Sequence, residues 1–397
     1  MLRASVGDAM LKYLMFYEDR GLEIAYAEGQ YVWDSNGNKY LDMHTGHGVA
    51  FLGHRNPHIT KALIEQLSKV TTASTSFRVK IREEMLEILS KIVPKKFEYA
   101  YLLNSGSEAV DFALKVSRAV SNRKKIVHFT NSFHGRTFGA LSVTSNLKYR
   151  KGVEPLLPEV YQARFNSVED VEKVIDNSTA AVIVELIQGE GGVNVASKEF
   201  AKALREKTSE TGALLIIDEI QTGFGRTGAT WLFEQYNVIP DILLAGKAIG
   251  GGFPVSVTFL PQELVSKIES GLHGSTYGGN PLACAAVKAS TEVLLQDSVP
   301  RQAMEKGLNF INSLRARLKD VKMVREVRGA GLMIGVELRF EPTRVIRCLQ
   351  EGKILALKSG VTVLRLLPPY LITTNDIDYA VEAIGKCIEE FSTRHAS

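Results

Sequence analysis

Compact apolar runs alternate along the chain with segments of helical periodicity. The runs include "KKIVHF", "AAVIVELI", "GALLIIDEI" and "DILLAGK". None of them alternates strictly between apolar and polar residues, which is typical of strands buried on both faces. Strands of this kind form mostly parallel sheets whose two faces are covered by helices. The pattern therefore predicts a three-layer α/β core.

The two ends of the chain show different patterns. "YVWDSNGNKYLDM" places Asn36-Gly37 between residues of high strand propensity, which predicts a hairpin with a two-residue loop. After Thr373 and Thr374, helical spacing predicts an amphipathic closing helix through Ile377, Ala380, Val381, Ile384, Ile388 and Phe391. Because no long linker appears, we expect a small domain built from residues 1–48 and 291–397 around a large domain, residues 49–290.

Composition and charge narrow the function classes. The chain has 397 residues, 45% of them hydrophobic, and its formal charge of +4 is scattered rather than clustered. We therefore expect a globular protein that does not bind nucleic acid, although a mildly basic surface suits an acidic partner. The apolar stretch "AMLKYLMF" is short and is interrupted by Lys12, so it predicts neither a signal peptide nor a membrane span.

The cysteines are few and scattered. Cys284, Cys348 and Cys387 show no paired spacing and their number is odd. This pattern predicts free thiols in a reducing compartment, the cytoplasm by default, and argues against a disulfide framework or a zinc site.

Polar residues follow several of the runs, at the sheet edge where open α/β folds bind ligands. After "YAYLL", the residues Ser105, Gly106 and Ser107 precede a predicted helix. Free N–H groups at that helix start could cradle a phosphate, although such residues also serve as plain caps. Asp218 and Glu219 come directly after a buried strand, where a carboxylate needs a cation or donors. A protonated cofactor ring nitrogen is one candidate partner.

Two further runs end in chemically active residues. "AAVIVELIQGEGG" brings three polar residues to a strand end, namely Glu185, Gln188 and Glu190. "DILLAGKAIGGG" brings a single lysine, Lys247, before a glycine-rich turn. This stretch is not a P-loop, because Asp241 and Ala248 stand where that motif requires glycine and Ser or Thr. The histidines of "HTGHGVAFLGHRNPH" lack cysteine or carboxylate neighbours at ligand spacing, so we expect no metal site.

A phosphate cradle, a buried carboxylate and a lone lysine at one sheet edge match the needs of pyridoxal phosphate. The lysine forms a Schiff base with the cofactor's aldehyde, and the carboxylate keeps the pyridine nitrogen protonated. We therefore interpret Lys247 as a nucleophile, rather than as a side chain that extends to water.

Six motifs, in order, resemble the class III, fold-type I pyridoxal-phosphate aminotransferases, specifically the acetylornithine and ornithine aminotransferase group. They are "NSGSEA", "FHGRT", "VELIQGEGG", "LLIIDEIQTGFGRTG", "PDILLAGKAIGGGFP" and "HGSTYGGNPLA", and the likeness runs from about Tyr17 to the closing helix. The resemblance implies an α/β fold, with a mostly parallel central sheet in the large domain and a small α+β domain from both chain ends.

The resemblance also implies roles at the cofactor. Lys247 would be the Schiff-base lysine, Asp218 the partner of the pyridine nitrogen, and Gln221 the partner of the ring's phenolic oxygen. The phosphate would be held by Gly106, by Ser107 and, from the other subunit, by Thr276. Phe133 would stack on the ring. The active site would then belong to a homodimer.

For the substrates, the resemblance implies three contacts and a switch. Arg136 would grip a carboxylate, Ser275 would touch substrate, and Tyr17 would lie nearby. Glu190 would mask Arg365 while a distal amine reacts, and would release it for the α-carboxylate of glutamate. The reaction would be ping-pong, turning an ω-amine into an aldehyde and 2-oxoglutarate into glutamate.

Within the group, "VREVRGAGLMIGVEL" and "ILALKSGVTVLRLLPPYLI" are most similar to the lysine-biosynthesis branch. Its substrate is lysine, or in some members ornithine, linked through its α-amine to a small acidic carrier protein. Leu186 departs from the proline usual in the group. The alternatives are an acetylornithine, ornithine or 4-aminobutyrate aminotransferase, an aminomutase on the same fold, and a binding protein without activity.

Overall fold

The structure is a computed structural model that describes residue 11 and residues 13–393. Its strands are β1 (Ile24–Glu28), β2 (Tyr31–Asp34), β3 (Lys39–Asp42), β4 (Tyr99–Leu103), β5 (Lys125–Phe129), β6 (Val160–Ala163), β7 (Thr179–Val184), β8 (Ile187–Gln188), β9 (Asn194–Val195), β10 (Leu214–Asp218), β11 (Ile242–Ala245), β12 (Ser256–Leu260), β13 (Val324–Ala330), β14 (Met333–Leu338), β15 (Ile354–Leu355), β16 (Leu357–Ser359) and β17 (Val363–Leu366).

The helices are α1 (Thr45–Gly48), α2 (Pro57–Leu67), α3 (Lys80–Leu89), α4 (Gly106–Ser121), α5 (Phe138–Ser142), α6 (Val168–Val174), α7 (Lys198–Thr211), α8 (Gln262–Val265), α9 (Pro281–Gln296), α10 (Val299–Leu318), α11 (Thr343–Glu351) and α12 (Thr374–Thr393). Short 3-10 helices cover Val49–Leu52, Leu147–Tyr149, Leu232–Tyr236 and Lys247–Gly250. In the described part of the chain, no helix is long and apolar enough to cross a membrane.

The central sheet has the strand order β4-β12-β11-β10-β7-β5-β6. The neighbours from β11 to β6 pair in parallel, whereas β12 runs antiparallel to both β11 and β4. Each of the four apolar runs contributes a strand to the parallel part, and every residue of β7 is buried. This confirms the predicted mostly parallel sheet. Asp218 pairs with Leu244 in the register, so the chain that follows β11 emerges beside Asp218.

Two smaller sheets are built from the ends of the chain. β3 pairs in parallel with β15, so one sheet has the order β1-β2-β3-β15. The other is antiparallel, β13-β14-β17-β16, and it carries Arg365 on β17. The closing helix is α12, as predicted, and Asp376 N donates to Thr373 Oγ1 in its first turn (3.2 Å).

The predicted hairpin joins β2 to β3, but its loop is longer than two residues. Asp34 N donates to Asn38 O, so the residues between them form a three-residue loop with Gly37 at φ 80°. The reason is the Asp34 carboxylate, which accepts from Asn36 N, Asn38 N and the Tyr40 hydroxyl. A side chain that holds several loop donors favours this wider turn.

The prediction of free thiols is wrong for two of the three cysteines. Cys348 on α11 and Cys387 on α12 form a disulfide, with their Cα atoms 5.8 Å apart, and only Cys284 is free and buried. The pairing is made by the packing of two helices that are distant in sequence, which local spacing cannot show. The cysteines therefore no longer support a reducing compartment, because disulfides are typical of oxidising ones. They do not exclude it either, because intracellular proteins of hyperthermophiles also carry disulfides.

Cys387→Ser should lower the free energy of unfolding, because the disulfide closes a loop with a sequence separation of 39 residues. The chain-entropy relation gives an effect of about 4 kcal/mol for such a loop. Thermal unfolding with and without a thiol reductant measures it. The parent and the control Cys284→Ala should both lose stability in reductant, whereas equal Tm values for parent and Cys387→Ser would contradict the expectation.

Candidate active site

An inner cavity of about 390 Å³ opens at the carboxyl ends of β10 and β11, in front of the start of α4. Among the residues that line it are Asn104, Ser105, Gly106, Ser107, Phe133, His134, Glu185, Glu190, Asp218, Gln221 and Lys247. The sheet topology thus brings together the strand-end residues singled out in the sequence.

Lys247 begins the 3-10 turn that follows β11, with a left-handed backbone (φ 47°). Burial lowers the pKa of its ammonium to about 8. Glu190 and Asp218 act in the opposite direction and raise that pKa, whereas Arg365 lowers it further. A lysine with a pKa near 8 has a substantial fraction of its reactive, uncharged amine near neutral pH.

Asp218 ends β10 as a buried carboxylate held on both oxygens. Its Oδ1 accepts from Ile220 N (3.0 Å) and its Oδ2 lies 2.7 Å from His134 Nδ1. His134 is itself buried, and its Nε2 has no hydrogen-bond partner among the described residues. No pattern in the sequence singles out His134, although it stands in "FHGRT" between Phe133 and Arg136, which were both assigned roles from the resemblance.

The other strand-end carboxylates hold loops in place. Burial raises the pKa of Glu185 to about 7, and its oxygens accept from Phe133 N (2.9 Å) and Gly189 N (3.0 Å). Glu219 accepts from the N–H groups of Leu232 and Phe233, away from the cavity, and burial raises its pKa to about 8. The adjacent acids Asp218 and Glu219 therefore differ in role: Asp218 lines the cavity, whereas Glu219 holds the backbone of a loop.

The Glu190–Arg365 pair joins the central sheet to the C-terminal sheet. Arg365 Nη1 donates to Glu190 Oε1 and to Gly189 O, both at 2.7 Å. The Arg365 side chain is 0% exposed, and its Nε and Nη2 have no partner among the described residues. Burial alone would raise the pKa of Glu190, but Arg365 and Lys247 outweigh it and lower that pKa to about 2.

The backbone beneath this pair is fixed. Ser359 Oγ donates to Gly189 O (2.7 Å), and Gly360 N donates to Glu190 O (2.9 Å). Gln221 Oε1 accepts from Arg365 Nη1 (3.1 Å), and a Cβ atom at Gly189 would lie 2.1 Å from that oxygen. A larger residue at position 189 would therefore displace the Gln221 amide. The two backbone hydrogen bonds leave side-chain rotation of Glu190 as the way for the pair to open.

At the start of α4, the Ser105 hydroxyl accepts from Glu108 N and caps the helix. The N–H groups of Gly106 and Ser107 belong to the first turn, where a helix offers them no internal acceptor. Ser107 Oγ accepts from Arg136 N (3.2 Å), and a Cβ atom at Gly135 would lie 2.1 Å from Ser107 Oγ. The helix start and the "FHGRT" loop are thus packed directly together.

An outer cavity of about 1190 Å³ leads inward to Phe133 and Glu190, which line both cavities. Tyr17 lies on its wall, 63% exposed. The guanidinium of Arg136 is 4.2 Å from the ring centroid of Tyr149 and 5.8 Å from that of Tyr17. Arg136 therefore stands exposed among aromatic rings at the mouth, whereas Arg365 is buried deeper.

Four predicted residues line neither cavity, namely Arg136, Arg365, Ser275 and Thr276. Arg136 contacts Tyr149 on the wall of the outer cavity, and Arg365 contacts Glu190, which lines both cavities. Ser275 Oγ accepts from Asn104 Nδ2 (3.3 Å) and from Gly278 N (3.0 Å), so Ser275 reaches the inner cavity only through Asn104. Thr276 is exposed on the surface.

The donor set of the inner cavity fits pyridoxal phosphate. It combines a lysine of lowered pKa, a buried carboxylate hydrogen-bonded to a histidine, and a helix N-terminus that favours phosphate. Its volume of about 390 Å³ lies in the range of small-molecule sites. Lys247 and Asp218 would hold the reactive ring, and Gly106 and Ser107 the phosphate.

Comparisons with known proteins give a consistent result. The sequence profile of the class-III aminotransferases matches residues 17–388. LysW-aminoadipate semialdehyde/glutamate semialdehyde transaminase of Sulfolobus acidocaldarius is 58% identical over 98% of this chain and 100% of its own length. Acetylornithine aminotransferase of Archaeoglobus fulgidus is 42% identical over 93% of this chain and 96% of its own length.

Among solved structures, an ornithine aminotransferase of Toxoplasma gondii is similar, with a TM-score of 0.92 and 31% identity. The match covers 96% of this chain and 92% of that one. That structure has pyridoxal phosphate at partial occupancy in its active site.

The lowered pKa of Lys247 predicts its reactivity in cofactor-free protein. In competitive acetylation followed by mass spectrometry, labelling of Lys247 should be half-maximal near pH 8, because its pKa is about 8. Ordinary surface lysines follow a pKa of about 10.4. Glu190→Gln should move the midpoint lower still, since Glu190 raises the pKa. A midpoint that coincides with those of the surface lysines would contradict the assigned environment.

Proposed function

The chain belongs to the class-III aminotransferases, and from this premise we propose that it moves the terminal amino group between carrier-linked lysine or ornithine and 2-oxoglutarate. The products in one direction are the carrier-linked semialdehyde and glutamate. The identity of 58% to a LysW-aminoadipate semialdehyde/glutamate semialdehyde transaminase supports this choice of donor.

The observation that carries the proposal is the presence of two arginines at different depths. Arg136 stands exposed at the mouth, while Arg365 is buried and covered by Glu190. A donor that presents only a distal amine needs Arg136 alone, with the Glu190–Arg365 pair closed. A dicarboxylate needs both, and the two unpartnered Arg365 nitrogens offer it a planar fork.

Pyridoxal phosphate supplies an aldehyde that holds the amino group between substrates and a ring that stabilises the charge left when a substrate proton is removed. Lys247 Nζ removes that proton from the carbon bearing the amino group, which suits an amine whose pKa is near 8. Asp218 would bind the protonated ring nitrogen, and His134 Nδ1 would position the Asp218 carboxylate by donating to its Oδ2.

Other residues of this chain position the cofactor. The N–H groups of Gly106 and Ser107 would bind the phosphate, Phe133 would cover the ring, and Gln221 would bind the phenolic oxygen after leaving Arg365. Tyr17 would contact the substrate from the wall of the outer cavity, and Ser275 would act on it beside Asn104.

We also propose a homodimer whose partner subunit brings its Thr276 to the phosphate. The support is that Thr276 of this chain is exposed and outside its own cavities. Large apolar side chains remain exposed nearby on the same subunit, among them Phe77 at 69% and Tyr277 at 66%. An outer cavity of about 1190 Å³ is larger than a free amino acid requires and would admit the end of a small acidic carrier protein.

A panel of amino donors tests the substrate. With 2-oxoglutarate as acceptor, kcat/KM should be highest for carrier-linked lysine or ornithine, lower for acetylornithine and lowest for free ornithine. The reason is that a blocked α-amine leaves only the distal amine to react. Equal values for all donors would contradict the proposed specificity, and aldehyde formed without consumption of 2-oxoglutarate would indicate the aminomutase instead.

Acetylornithine is the second candidate donor, favoured by the 42% identity to the Archaeoglobus fulgidus acetylornithine aminotransferase. Its acetyl group blocks the same α-amine. The same panel separates the two, because an acetylornithine enzyme would gain nothing from the carrier.

Arg365→Lys should separate the two half-reactions. Loss of the fork removes a charge-assisted hydrogen bond that is worth about 1.5–3 kcal/mol, so the reaction with 2-oxoglutarate should slow about 10- to 150-fold. Single-turnover rates for each half-reaction measure this, and the donor half-reaction should change much less.

Arg328→Lys is the matched control for Arg365→Lys. Arg328 holds the same loop by donating to Gly192 O and Val193 O, but its other side-chain partners are Glu326, Glu337 and Asn194 rather than Glu190. It should leave the ratio of the two half-reactions close to that of the parent. An equal loss in both half-reactions of Arg365→Lys would count against the switch.

A further inference from the structure

The histidine-rich segment after β3 adopts an unusual backbone. Thr45, Gly46, His47 and Gly48 all have positive φ, at 46°, 59°, 59° and 90°. A left-handed conformation costs roughly 1–2 kcal/mol for each non-glycine residue. For a β-branched residue such as Thr45 it is a genuine outlier. Strain of this kind persists only where surrounding contacts impose it, and it concentrates at functional sites.

Three buried residues impose this conformation. Asp42 Oδ1 accepts from His44 N (2.8 Å) and Thr45 N (2.9 Å), and Thr45 Oγ1 donates to Leu367 O (2.7 Å). Arg226 Nη2 donates to Gly48 O (2.9 Å). The segment is therefore tied to the C-terminal sheet and to the loop after β10, and its shape is fixed.

The result is that His47 lines the outer cavity, as Glu190 does. Its ring lies 5.2 Å from that of Tyr17 and 4.6 Å from that of His44. Burial is the main cause that lowers the pKa of His47; Glu190 raises it, while Arg365, Lys247 and Arg136 lower it further.

Other titratable groups line the same cavity. Burial lowers the pKa of His44 to about 4, so His44 is neutral near pH 7. The remaining charged residues of the lining are Glu18, Asp19, Arg20, Lys148, Arg347, Glu351 and Lys358. In the closed site, the lowered pKa of His47 favours its neutral imidazole.

The basic groups that lower the pKa of Glu190 most are Arg365, Lys247 and His47. In the proposed reaction, the incoming α-carboxylate occupies Arg365 and the cofactor engages Lys247. Glu190 then loses its partner, and its fixed backbone allows only side-chain rotation. Of the three, His47 alone is left to pair with it.

We propose that His47 is a positioning residue that receives Glu190 when the Glu190–Arg365 pair opens for a dicarboxylate, taking up one proton from solvent as it does so. The inference rests on the proposed function and deepens it. When Glu190 leaves Arg365, it forms a second ion pair with protonated His47. The Glu190 carboxylate is therefore not left without a partner in a partly dry cavity. The proton is released when the dicarboxylate leaves.

The sign of the pH effect follows from linkage. In the closed site the pKa of His47 lies below its usual 6.5, and an adjacent unpaired carboxylate raises it. Binding then takes up a proton between these two values, so affinity for the dicarboxylate falls as pH rises through that window. The limit is about tenfold per pH unit.

Isothermal calorimetry on the holoenzyme tests this, with glutarate as an unreactive dicarboxylate. Titrations in two buffers of different ionisation enthalpy, at about pH 6 and about pH 8, count the protons taken up. The parent should take up a proton at the lower pH and bind glutarate several-fold more tightly there. His47→Asn should lose both effects, since asparagine tolerates the left-handed backbone but cannot be protonated.

Two further variants sharpen the result. Glu190→Gln keeps His47 but removes the acid, so it too should bind glutarate without proton uptake. His58→Asn, at a surface histidine paired with Glu292, should behave as the parent. Undiminished proton uptake in His47→Asn would overturn the inference while leaving the function intact. If the parent neither binds glutarate nor consumes 2-oxoglutarate, the proposed function fails and the inference with it.

Discussion

The structure depends on how it neutralises charge at the buried carboxyl edge of the central sheet. Arg365 is fully buried, and among the described residues its ion-pair partner is Glu190, at 2.7 Å and 27% exposed. A buried charge that loses its partner typically costs about 3–5 kcal/mol, so Arg365 needs another negative charge when Glu190 leaves it. Lys247 stands in the same field, and burial together with Arg365 lowers its pKa to about 8. The same charged groups thus keep Arg365 paired with Glu190 and lower the pKa of the Lys247 amine.

The scaffold around this cluster leaves its side chains little freedom except where the chemistry needs it. Glu185 holds the backbones of Phe133 and Gly189, and the C-terminal sheet holds Gly189 and Glu190 through Ser359 and Gly360. Side-chain rotation of Glu190 remains possible. A fixed backbone with one mobile carboxylate is what a site needs when it accepts two substrates of different charge in turn.

Much of this arrangement can be predicted from the sequence, because it depends on local pattern. The unbroken apolar runs predict buried parallel strands, and strand ends in such sheets share one edge, so Asp218 and Lys247 must lie close together. Pairs of residues that are far apart in the sequence cannot be predicted from local pattern. Glu190 and Arg365 are separated by 175 positions, and only the resemblance to a family could pair them.

The features that sequence patterns miss arise from tertiary packing. The disulfide between Cys348 and Cys387 forms because α11 packs on α12. His134 contacts Asp218 because the fold brings together two segments that are 84 positions apart. The left-handed turn at Thr45 and His47 opposes the local preference of both residues and is held by Arg226 from another part of the chain. Contacts of this kind leave no periodic trace in the sequence.

Reduction of the holoenzyme with borohydride, followed by peptide mapping, tests most directly that Lys247 is the reactive amine of this site. The account predicts that the cofactor becomes covalently attached to the peptide that contains Lys247, and that attachment is lost in Lys247→Ala. Attachment to a different lysine, or equal labelling in that variant, would contradict it.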